Sequence, residues 1–193
     1  MHRSLLLAPL FVATHAGAAS LPAPMVDGDC AEFRPLGARM IALSPQVQLF
    51  VYEDEHYVWM CYTLPPGSMG QLDMVLATPA LPAALNLHVS AQLGEWPAGR
   101  PELVPKNAES DAWWQVQGWT ANTLHVNGMD TSGQQPRYRW KETPGRELQL
   151  SKARFGHGTW TVSMTIYGIG DGHGRRADLH FPAQGSVYSL PVK

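Results

Sequence analysis

The sequence predicts an all-β protein: a single antiparallel β-sandwich, jelly-roll-like, of about nine to eleven short strands. Three observations predict it. Val47 to Thr63 reads as two strands around the polar turn Glu53-Asp54-Glu55-His56, with apolar side chains on both faces. Gly, Pro, Asn and Asp punctuate the rest of the chain at the intervals of a sandwich, and no segment carries helical spacing. A strand pair that is apolar on both faces belongs inside a covered sheet, not on an open edge.

Before that hairpin, Met1-His2-Arg3 carries positive charge, Leu5 to Ala13 is apolar, and Ala16 to Ser20 supplies small residues for a signal peptidase. Residues 1–19 are therefore expected to be an export signal and 20–193 the mature domain, periplasmic or secreted. The apolar run of about ten residues is half of what spans a bilayer, and no later run approaches that length, so no transmembrane segment is expected. Cys30 follows Asp29, not the small apolar run that lipid attachment requires. The two cysteines of an exported chain are most economically paired as a Cys30–Cys61 disulfide, and no Cys-x-x-Cys spacing supports redox or zinc chemistry. Formal charge is −2. With no basic stripe to neutralise phosphates, nucleic-acid binding is not expected.

In order along the chain, Leu21 to Ala38 is a Pro- and Gly-rich lead-in and Arg39 to Leu43 a first strand, broken at Pro45. After the organising hairpin, Leu72 to Leu76 alternates, and Leu85, Leu87, Val89, Ala91 and Leu93 predict one long strand with its other face wet. Glu95 to Ser110, with three prolines, predicts a surface loop. Trp113 to Trp119 predicts a strand with Trp114 and Val116 on one side and Trp113, Gln115, Gln117 and Trp119 on the other. Leu124 and Val126 are expected inward, Gly128 to Gln135 as a turn, and Arg137 to Lys141 as a half-buried strand with Tyr138 and Trp140 inward. Thr159 to Tyr167 predicts a strong strand with Trp160, Val162, Met164 and Ile166 in the core. Ala177 to Phe181 and Val187 to Val192 close the sheets.

Two of these places carry a resemblance. Val47 to Trp59, an acidic turn followed by a strand that begins with an aromatic residue, is one; Glu147 to Leu150 with Gly158 to Met164, a late strand pair, is the other. In both, the chain resembles the superfamily of family 9 carbohydrate-binding modules and DOMON domains, exported β-sandwiches that bind sugars or b-type haem. The opening tryptophan of that family is missing beside Asp27-Gly28-Asp29. The resemblance implies a glycan ligand, or alternatively haem b held by Met69 or Met74 with His157, His173 or His180.

The residues themselves point to a non-catalytic binding module. Trp96, Trp113 and Trp119 are candidate platforms for the apolar C–H face of a pyranose, and Gln115 and Gln117 candidate partners for its hydroxyls. Trp59, Trp114, Trp140 and Trp160 read as core. Asp171, His173, Asp178 and His180 would form a metal site only if the glycine loop folds back over the following strand, and a solvated flexible hairpin is the expected reading there. No Gly-x-Ser-x-Gly elbow or His-Glu-x-x-His motif is present. A structural or protein-interaction role without a small ligand is the remaining alternative.

Overall fold

The computed structural model describes residues 23–183 and 185–193; the expected export signal lies outside the described residues. Thirteen strands are present among them: β1 (Arg39–Ala42), β2 (Gln48–Glu53), β3 (Tyr57–Thr63), β4 (Gln71–Ala77), β5 (Leu85–Val89), β6 (Leu93–Pro97), β7 (Trp119–Ala121), β8 (Val126–Asp130), β9 (Arg137–Trp140), β10 (Gly145–Ser151), β11 (Gly158–Gly170), β12 (Arg176–Phe181) and β13 (Tyr188–Val192). All pairings are antiparallel. One sheet has the order β1-β2-β3-β10-β7 and the second β12-β11-β4-β5-β6, with β13 also paired to β11. The pair β8-β9 stands as a separate ribbon.

The β-sandwich is thus the architecture, and its core is the expected one. Leu49, Val51, Leu87, Val89, Trp160, Val162 and Met164 all lie in one buried cluster shared by the two sheets. Alternation explains this: a period of two sends every second side chain of β4 and β11 inward, and Met164 lies opposite Met74 across that strand pair.

Hairpin β2-β3 is buried on both faces, each with its own cover. Val58, Met60 and Tyr62 face the second sheet, whereas Phe50, Trp59 and Cys61 pack under the 3-10 turn Cys30–Phe33 in a smaller cluster. A Cys30–Cys61 disulfide staples that turn to β3. Gly145 on β10 makes the close approach feasible, since a Cβ there would lie 2.6 Å from the Cys30 sulfur. Asp54 closes the hairpin from within. Burial opposes its ionisation, yet the indole N–H of Trp59 and the backbone N–H groups of His56 and Tyr57 outweigh that and hold its carboxyl below the usual range.

Several local expectations are corrected. The stretch 85–93 is not one strand: it turns at Ser90–Gln92, so that Val89 pairs with Leu93 and the first residues of the expected loop become β6. Ser90 makes the corner, its hydroxyl bonding the backbone of Gln92. The stretch 126–141 is also different, because β8 runs through the expected turn to Asp130. Val126, Met129, Tyr138 and Trp140 are all exposed, since this ribbon leaves the sandwich and nothing covers it among the described residues.

Candidate functional site

The three tryptophans of 113–119 go to three different places, because this segment is a folded corner and not the expected strand. Trp113 lies against Gly94 of β6, where an added Cβ would come within 2.7 Å of its ring. There it meets His88 and Trp96, with ring centroids 5.5 and 6.5 Å away, and its indole N–H donates to the Asn107 carbonyl at 3.0 Å. Trp114 takes φ +70°, a left-handed conformation that bulky side chains rarely adopt, and its side chain is 54% exposed. Gly118, at φ +63°, brings the chain back. Trp119 then enters the core, 6% exposed, with its indole N–H donating to Glu95 Oε2 at 2.7 Å. Arg154 holds the same carboxylate from its other side.

The proposed strand face is therefore not assembled. Trp96 and Trp113 do come together, but Trp119 is interior, and Gln115 and Gln117 are exposed on the corner. Trp114, expected in the core, is the exposed indole. Gly94 inside a strand is the sequence signal for this, since a glycine there marks a surface on which something packs closely.

Trp114 lines a cleft of about 520 Å³. The cleft runs along the side of the sandwich where β6 and β7, the last strands of their two sheets, lie next to each other: Leu93 and Ala121 contribute its floor. Its walls carry Asn122, Thr123, His125, Lys141 and Thr143, all capable of hydrogen bonding. The Trp114 N–H donates to the Leu93 carbonyl at 2.8 Å and the Leu124 N–H to the Ser90 carbonyl at 2.9 Å, so both sides of the cleft are tied to the same sheet. Holding a non-glycine residue in the left-handed region costs on the order of 1–3 kcal/mol, which surrounding contacts must offset.

No family model matches the chain, and no curated protein does. Among solved structures the chain is similar to a carbohydrate binding module of family 9 from Caldicellulosiruptor kristjanssonii in complex with cellotriose. Identity is 10%, the TM-score is 0.42, and the match covers 82% of this chain and 80% of that one.

A second polar cluster is occupied with its own bonds. On the outer face of the second sheet, Asp73 accepts from Asn86 at 2.9 Å and from the Tyr167 hydroxyl at 2.9 Å, and its other contact is His88 Nδ1 at 2.8 Å. Desolvation raises the Asp73 carboxyl, but the bonds from His88 and Asn86 prevail and lower it; burial and the bond to Asp73 push the Tyr167 hydroxyl up to about 12. With its acceptor oxygens taken, Asp73 has little left for a ligand.

Glu147 lies beneath the N-terminal segment, fully buried, with Oε2 facing the N–H groups of Asp27 and Gly28 at 3.2 and 3.3 Å and Oε1 unpartnered among the described residues. Burial pushes its carboxyl up to about 8, against the pull of those two donors. The unfolded value is about 4.3, so between those values the folded state binds more protons, and stability falls as pH rises through this window. Glu147→Gln removes the titration. Denaturant unfolding at about pH 5 and about pH 9 is expected to show a smaller loss for the variant than for the wild type. Equal losses would mean that Glu147 is ionised when folded.

The remaining candidates are dispersed. Asp171 accepts from the backbone of His173 and Arg175 and pairs with the Arg175 side chain at 2.9 Å; Asp178 accepts from the Gly168 N–H, and His180 Nδ1 lies 3.1 Å from the Thr165 hydroxyl. Among the described residues no three His, Cys, Asp or Glu side chains are grouped to hold a metal. Met74 is fully buried between the sheets, whereas His157, His173 and His180 are exposed. Met69 sits beside Gly168 at one end of the β4-β11 pair, and His157 precedes the other end.

Proposed function

We propose that this protein is an exported, non-catalytic binding module whose ligand is a glycan, held in the cleft beneath Trp114. The observation that carries this reading is the exposed Trp114 indole, kept in a strained left-handed conformation above a polar-walled cleft. A pyranose is apolar on one ring face and hydroxylated around its rim, which matches an indole set beside Thr123, His125 and Lys141. The cleft volume falls in the range of small-ligand sites. The export part of the reading rests on the charge and hydropathy pattern of residues 1–20 and fits the Cys30–Cys61 bond, which persists in oxidising compartments.

A stacked indole is worth about 1–3 kcal/mol when well desolvated, so Trp114→Ala is expected to weaken saccharide binding roughly tenfold or more. Because the side chain is exposed, the variant is expected to unfold at the same denaturant midpoint as the wild type. A glycan array followed by tryptophan-fluorescence titration tests both points. If no saccharide alters the emission of the wild type, the glycan reading is wrong and an interaction role takes its place.

A further inference from the structure

We infer that the cleft selects acidic glycans, saccharides bearing carboxylate or sulfate groups, and that Lys141 is the residue that reads the charge; this rests on the glycan reading above. Lys141 is fixed at the foot of the β8-β9 ribbon by its N–H, which donates to the His125 carbonyl at 2.7 Å, and both residues stand in the cleft wall. The β9 alternation places Arg139 and Arg137 two and four residues further along the same face as Lys141, while Tyr138 and Trp140 occupy the opposite one. Three cations on one strand face therefore lead from solvent to the cleft.

Asp130 stands opposite Arg137 across the ribbon, and its charge partly balances the two arginines, whereas Lys141 stands opposite His125. Among the described residues, Arg137, Arg139 and Lys141 form no ion pair within 4.0 Å, although the chain as a whole is net negative. The Arg139 guanidinium donates instead to a neutral acceptor, the Met129 carbonyl at 3.2 Å. The carboxylate in the cleft wall, Asp27, accepts the Asp29 N–H at 2.8 Å within its own turn. A neutral saccharide offers Lys141 only hydroxyl acceptors. An anionic one gains a charge-assisted hydrogen bond at Lys141 and attraction from the two arginines, an attraction that salt screens.

The test compares tetragalacturonate with cellotetraose, an acidic and a neutral saccharide of equal length, by tryptophan fluorescence and calorimetry at low and high salt. Tetragalacturonate is expected to bind about tenfold more tightly than cellotetraose at low salt, and the gap is expected to narrow as salt rises. Lys141→Gln is expected to weaken tetragalacturonate about tenfold and cellotetraose by much less, with Arg139→Gln acting in the same direction but more weakly. All of these side chains are exposed, so circular dichroism of the variants should match the wild type. Equal affinity for the two saccharides, or no effect of Lys141→Gln, overturns the acidic preference and leaves the glycan reading standing. Binding of neither overturns both. If tetragalacturonate binds and Lys141→Gln weakens it while Trp114→Ala does not, the ribbon alone is the anion site and the cleft reading falls.

Discussion

Trp119→Ala is expected to destabilise the protein by about 3–5 kcal/mol, lowering its thermal midpoint by roughly 6–20 °C. Trp119 is buried beside Leu148 and Leu150 in the shared core, and truncation leaves a cavity on that side of the sandwich. It also removes the indole N–H from Glu95, a half-buried carboxylate that is then left to Arg154 and the Gln117 backbone. Trp119→Phe keeps most of the apolar area and loses only the donor, so its cost is expected to be nearer 1–2 kcal/mol. Trp114→Ala, five residues earlier, should stay within about 0.5 kcal/mol of the wild type. Thermal and urea unfolding of the three variants measures this order directly. Should Trp119→Ala unfold like the wild type while losing saccharide affinity, Trp119 would be the exposed platform and the corner at 113–118 would be wrongly described.

Replacing both Cys30 and Cys61 with serine is expected to cost about 3–4 kcal/mol in the chain-entropy account, the closed loop having a sequence separation of 31. Packing adds to this. Phe50 and Trp59 are buried under the 3-10 turn, whose own Phe33 packs onto them, and loosening the turn exposes that whole cluster. The double variant should show a lower denaturant midpoint and a weakened near-ultraviolet dichroism signal from Trp59, while its far-ultraviolet spectrum remains that of β-sheet. Finding two free thiols in the denatured, unreduced wild type would refute the bond itself.

Much of the fold is legible from alternation, and the failures occur where alternation stops being informative. Residues 85–93 are apolar at every second position through the turn as well as the strand, so the sequence reads as one strand until Ser90 and Gln92 are seen to bond across a corner. Tyr138 and Trp140 alternate as a half-buried strand would, yet among the described residues no sheet covers their ribbon. Periodicity reports which residues share a face. It does not report whether anything covers that face.

The candidate site shows the same division at the level of single residues. Composition and order determined that a tryptophan-rich segment follows a Pro-rich loop, that two cysteines would tie the N-terminal segment to the organising hairpin, and that Trp160, Val162 and Met164 would line a core. Which tryptophan is exposed was decided by tertiary structure alone. Gly94 left room for the Trp113 ring, the Glu95–Arg154 pair gave the Trp119 indole a buried acceptor, and Trp114 was the residue left to turn outward at positive φ. Each of those partners comes from a strand or turn more than fifteen residues distant from it or from a sheet edge the local pattern does not encode. A period of two carries information over neighbouring residues; the choice among three adjacent indoles depends on the space and the hydrogen-bond acceptors that other strands bring to them.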